Sequence, residues 1–114
     1  MTLRRVLGHI GLATLLSMGA SAQAQIKIGQ TAGFSGQVAA GVKEITDGAK
    51  LYFDTVNAKG GVHGQKIELV SLDDQFDPKL AAENARKLIE EQQVLAMFLT
   101  RGTPHTQAIV PLLD

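Results

Sequence analysis

Apolar and polar positions alternate along Gln25-Ile26-Lys27-Ile28-Gly29-Gln30-Thr31, which predicts a strand running into a loop opened by Gly33 and Gly36. From Val38 the apolar residues return at Val42, Ile45, Ala49, Tyr52, Phe53 and Val56, and spacings of three and four place them on one face of a helix. Gly60 or Gly61 can take the left-handed backbone that closes that helix, and Lys59 suits the negative end of its dipole. Lys66-Ile67-Glu68-Leu69-Val70-Ser71-Leu72 predicts a second, at least half-buried strand. Asp77-Pro78 marks the next helix start: the carboxylate can accept from the exposed amides, and the proline fits the first helical position. Leu80, Ala81, Ala85, Leu88 and Ile89 form the buried face of this second helix. Val94-Leu95-Ala96-Met97-Phe98-Leu99 is an unbroken apolar run, expected to be a strand covered on both faces and the most buried of the three. A polar turn, Thr100-Arg101-Gly102-Thr103, then leads to Pro104 and a third helix over 106–113.

Strand and helix alternating three times imply a parallel sheet with right-handed crossovers, so the expected fold is an α/β three-layer sandwich. Ahead of it, Arg4 and Arg5 precede an apolar run over 6–18, and Ala22-Gln23-Ala24 fits a small-x-small cleavage site. Residues 1–24 are read as a cleavable signal peptide, cut before Gln25, because the run is too short to span a bilayer. The product, residues 25–114, is expected to be exported, and periplasmic in a cell with two membranes. A three-stranded parallel sheet leaves two unpaired edges, and the last helix carries Pro111 with no capping glycine. Residues 25–114 are therefore expected to be the amino-terminal part of a longer, truncated domain.

Composition narrows the function. The chain holds 11 basic and 11 acidic side chains, and losing Arg4 and Arg5 tips the balance to negative. No basic surface is left to neutralise a phosphate backbone, which excludes nucleic acid as a partner. The absence of cysteine excludes disulfides, thiolate metal sites and a cysteine nucleophile.

In an open parallel sheet, ligands bind beyond the carboxyl ends of the strands, and three loops qualify. The first nearly holds two enzyme motifs. Gly33-Phe34-Ser35-Gly36 lacks a spacer of the nucleophile elbow, and Gly36 to Gly41 has phosphate-loop spacing with Val42 where its lysine belongs. Lys43 comes one position late, turned about 100° away on a helix. An enzyme is not expected, and no cofactor is implied. The second loop, Asp73-Asp74-Gln75-Phe76-Asp77, lacks the alternation and late glutamate of a calcium loop, so capping and solvation are expected instead. His63 and His105 have no ligand-like spacing and are expected at the surface. In the third loop, Thr103 places a hydroxyl at the head of a helix, either capping that helix or meeting a carboxylate beside unpaired amides.

Ile26-Lys27-Ile28-Gly29-Gln30-Thr31, Ser35-Gly36, Asn57-Ala58-Lys59-Gly60-Gly61-Val62-His63-Gly64-Gln65-Lys66-Ile67, Asp73-Asp74 through Asp77-Pro78, and Gly102-Thr103-Pro104 together resemble the branched-chain amino-acid-type substrate-binding proteins of ABC transporters. The resemblance implies a type I periplasmic binding fold whose two lobes close on a small ligand, with residues 25–114 supplying part of the first lobe. It implies no catalysis, an amino acid or small carboxylate as ligand, and an ABC transporter permease in the inner membrane as partner. Carried over, the ligand's carboxylate falls to the Thr103 hydroxyl and the backbone at Arg101 and Gly102, while Ser35 and Gly41 line the cleft. Two departures stand out: Gln37 replaces a usual proline, and Gly41-Val42 replaces a bulkier residue followed by glycine. The second removes an apolar wall and argues against leucine. An extracellular ligand-sensing domain of a signalling receptor would share the same fold.

Overall fold

A computed structural model describes residues 24–113. The leader expected over 1–24 lies, except for Ala24, outside the described residues. Three strands, β1 (Ile26–Ala32), β2 (Ile67–Asp73) and β3 (Ala96–Met97), form a parallel sheet in the order β2-β1-β3. Three helices follow them in turn: α1 (Ala39–Ala58), α2 (Pro78–Glu90) and α3 (Thr103–Ile109), the last continued by a 3-10 turn, Val110–Leu112. None of these helices is long and apolar enough to cross a membrane.

Neighbouring residues of β1 point to opposite faces of the sheet, and their partners identify the two outer layers. The Gln30 amide donates to Thr46 Oγ1 of α1 at 3.0 Å, while Thr31 Oγ1 accepts from Asn84 Nδ2 of α2 at 3.2 Å. α1 therefore covers one face and α2 the other. The core on the second face is Ala81, Ala85 and Ile109, with Met97 and Leu112 packed against it. Small alanines let α2 lie close to α3 and the sheet. Within β1, Gly29 serves the same purpose, because a Cβ there would meet Met97 Sδ and Val94 Cγ2 at 3.0 Å.

The link from α1 to β2 is tightly built. Gly60 and Gly61 take positive φ angles of 102° and 77°, closing the helix as their positions predicted. His63 and Gly64 occupy the two central positions of a turn, both with positive φ, and Val62 and Gln65 exchange amide bonds of 2.8 and 2.9 Å across it. Asn57 then ties the end of α1 to the start of β2. Its Oδ1 accepts from the Ile67 amide and its Nδ2 donates to the Ile67 carbonyl, each at 2.8 Å. At the next helix, Asp77 Oδ1 accepts from the Lys79 amide at 2.8 Å with Pro78 in the first turn, as the Asp-Pro pair predicted.

Several expectations need correction. The apolar run 94–99 is regular strand only at Ala96 and Met97, and Leu95 is 76% exposed. β3 lies at an edge of the sheet, so it has one neighbouring strand; the buried centre is β1. On α1 the buried positions are Val42 and Thr46, whereas Ile45 (51%) and Tyr52 (67%) are exposed. The stripe is rotated because Thr46 turns inward to hold Gln30. The third helix starts three residues earlier than expected, at Thr103, and Pro111 leaves its end as a 3-10 turn. His63 is exposed, but His105 is 2% exposed and stacks on Phe76 with ring centroids 4.6 Å apart. The stack buries the imidazole, and neither ring nitrogen has a hydrogen-bond partner among the described residues.

Candidate ligand-binding site

The loops that leave β1 and β2 are fastened to each other by one carboxylate. Asp73 Oδ1 accepts from the amides of Phe34 (2.9 Å), Ser35 (3.2 Å) and Gln75 (2.9 Å). The Ser35 hydroxyl above all holds the Asp73 carboxyl below its ordinary value; burial opposes it, and the Gln75, Ser35 and Phe34 amides add to the lowering. Asp74, expected to be solvated, is fully buried instead. Its two oxygens accept from Thr31 Oγ1 at 3.1 Å and the Phe76 amide at 2.9 Å, which satisfies a carboxylate that water cannot reach. The whole acidic loop is thus an anchor for neighbouring turns. Among the described residues no cluster of side chains is arranged to hold a metal ion.

The turn leaving β3 is different. Leu99 has a φ of 55° and Gly102 a φ of 104°, so the backbone takes a positive φ twice between Met97 and α3. Gly102 is the residue before the helix, and no side chain caps it. A Cβ on Gly102 would run into His105 Nδ1, so the buried ring beneath demands glycine here as much as the dihedral does. Thr103 is exposed as the first residue of α3, and its hydroxyl makes no hydrogen bond among the described residues. Thr106 closes the turn, its amide and hydroxyl reaching the Gly102 carbonyl at 3.0 and 3.2 Å.

Beyond the carboxyl ends of β1 and β3 lies a cavity of about 280 Å³. Its walls are Gln30 of β1, Val42 and Ile45 of α1, Leu99, and the turn Thr100 to Gly102. Gln30 is fully engaged, with its oxygen accepting from Ser71 Oγ at 2.8 Å and its nitrogen bound to Thr46. The Arg101 side chain lies over Gly41, where a Cβ would stand 2.7 Å from Nη1. Of the residues singled out in the sequence, Arg101 and Gly102 therefore line this cavity, and Gly41 lies against the Arg101 side chain. Ser35 is committed to Asp73, and Thr103 lies next to the turn but outside the cavity walls. Gln30, Val42, Ile45 and Leu99 were not singled out as wall residues. The signal for Gln30 was present, since an amide in an apolar strand is rarely without a partner.

A family model described as periplasmic binding protein matches residues 25–114. The chain is 40% identical over 91 residues to the Leu/Ile/Val-binding protein homolog 7 of Brucella suis biovar 1, covering 80% of this chain and 23% of that protein. Among solved structures it is similar to the branched-chain amino acid transporter substrate binding protein LivJ from Streptococcus pneumoniae, in complex with isoleucine. There the TM-score is 0.72 at 33% identity, with 77% of this chain and 25% of that one covered. It is also similar to a fatty acid ABC transporter substrate-binding protein from Thermomonospora curvata, with a TM-score of 0.74 and 33% identity over 79% of this chain and 23% of the other. The chain spans about a quarter of the length of the relatives it matches.

Proposed function

Because the chain belongs to the periplasmic binding protein family, with a fold shared by its type I members, we propose that it is the amino-terminal part of the first lobe of an ABC transporter's solute-binding protein. Its task is to capture a small carboxylate-bearing solute, such as an amino acid, in the periplasm and present it to the membrane permease. The observation that carries this reading is the cavity beyond the strand ends, bounded by the turn that leaves β3. At that turn Thr103 has an uncommitted hydroxyl and Gly102 an uncapped backbone, the donors a carboxylate needs. The similar structures name isoleucine and fatty acid, which share a carboxylate and an apolar body. The work is binding and closure of two lobes, with no bond made or broken.

A thermal-shift screen of the full-length protein against amino acids and small carboxylates identifies the solute by its stabilising effect. Thr103→Ala then tests the site. A hydrogen bond to a charged group contributes about 1.5 to 3 kcal/mol, so calorimetry should show affinity about ten- to a hundredfold weaker. Unchanged affinity would remove this hydroxyl from the site, and a screen with no stabilising carboxylate would remove the function.

A further inference from the structure

Among the described residues, Arg101 is the one charged side chain on the cavity wall, and it forms no ion pair. The ion pairs among the described residues are Lys43 with Asp47 and Arg86 with Glu90, which leaves the Arg101 guanidinium without a carboxylate. The first turn of α1, over which it lies, holds no acidic residue. Gln30, the other long polar side chain of the wall, spends its amide on Thr46 and Ser71. The rest of the wall at α1 and Leu99 is apolar. A solute lying here meets a hydrocarbon surface that ends in one planar cation.

Gly41 is what allows that cation its place. Any side chain at position 41 would begin with a Cβ 2.7 Å from Nη1, closer than two such atoms can stand, and the flexible end of Arg101 would have to move away. The glycine that removes an apolar wall from the cleft therefore admits a guanidinium in its stead. Guanidinium groups bind carboxylates through paired, charge-assisted hydrogen bonds, which a neutral side chain cannot supply.

We infer that the Arg101 side chain reads a second acidic group on the solute, so that the preferred ligand is a small dicarboxylate, with or without an amine. The inference rests on the reading that the Gly102–Thr103 turn holds the first carboxylate. The two can be separated by calorimetry on the full-length protein with matched five-carbon pairs: glutamate against norvaline, and glutarate against pentanoate. The acidic member of at least one pair should bind about ten- to a hundredfold more tightly. Arg101→Gln should weaken the acidic member far more than the neutral one and so erase that preference. Gly41→Ala should also erase the preference without altering Arg101 itself, because its Cβ takes the place where the guanidinium now lies. Neutral members that bind as tightly as their acidic partners, with an affinity sensitive to Thr103→Ala, would overturn the inference and keep the first reading. Equal weakening of both members by Arg101→Gln would also overturn it, by making Arg101 a second hand on the shared carboxylate. Binding by none of the four would overturn both.

Discussion

The outer strand of one half of the sheet is the more apolar in sequence, yet it is the less firmly held. β1 and β2 pair in register along seven residues each, from Ile26 with Ile67 to Ala32 with Asp73. β1 and β3 pair only at Ile28 with Ala96 and Gly29 with Met97. The first half is closed at both ends by side chains, Asn57 at the start of β2 and Asp73 at its finish. The second is closed by packing, with Met97 on the core and Phe98 tilted against Phe53 of α1 at 5.9 Å. Apolar character gives a strand the capacity to be buried, and pairing on both edges turns that capacity into burial. The site follows the same division, for the turn that bounds the cavity hangs from the two-residue strand. A loop held by few pairs on a rigid neighbour is suited to a surface that must meet a ligand.

Truncating a buried residue and an exposed one beside β3 tests that contrast most directly. Leu88 of α2, whose carbonyl accepts from the Val94 amide at 3.2 Å, is fully buried, and Leu88→Ala should cost about 2 to 5 kcal/mol of stability. Leu95, exposed just before β3, should tolerate Leu95→Ala within about 0.5 kcal/mol. Urea unfolding of the full-length protein measures both. Equal losses would mean that the outer edge of β3 is covered in the intact protein, and the contrast between the halves would vanish.

Smaller, but specific to the closed half, is the loss expected from Asn57→Ala. The Ile67 amide and carbonyl are partly buried and would each lose a partner. A buried polar group left unpaired costs about 1 to 3 kcal/mol, and that loss should appear as faster hydrogen exchange at the start of β2. Unchanged protection there would show that register is set by the β1 ladder alone.

Much of this architecture was legible because it is local. Alternation places β1 and β2 within a residue of their observed ends, the glycines after Lys59 close α1, and Asp77-Pro78 opens α2 through a bond two residues long. What escaped depends on partners distant in the chain. Nothing near position 57 announces that Asn57 will act as a strand partner, and the inward turn of Thr46 exists only because Gln30 faces it. His105 reads as a surface residue until Phe76 is found stacked on it. The cavity shows the same limit. Gly41 and Arg101 are each visible in the sequence, but their contact arises from the return of β3 beside the first turn of α1.

The smallest effect tests the finish of the closed half through pH. Asp73 is lowered from its ordinary value of 3.8, so its ionised form is favoured by folding. A carboxylate depressed in the folded state stabilises it above the unfolded value, and that contribution fades as pH falls below about 3.8 through the lowered folded value. Asp73 is exposed, and solvent screening keeps the contribution under about 1 kcal/mol. Asp73→Asn keeps an acceptor for the Phe34, Ser35 and Gln75 amides but removes the charge. Its stability should lie slightly below that of the unaltered protein at neutral pH and converge with it in strong acid. A constant gap at every pH would show that the Asp73 charge plays no part in fastening the two loops, and that shape alone closes this end of the sheet.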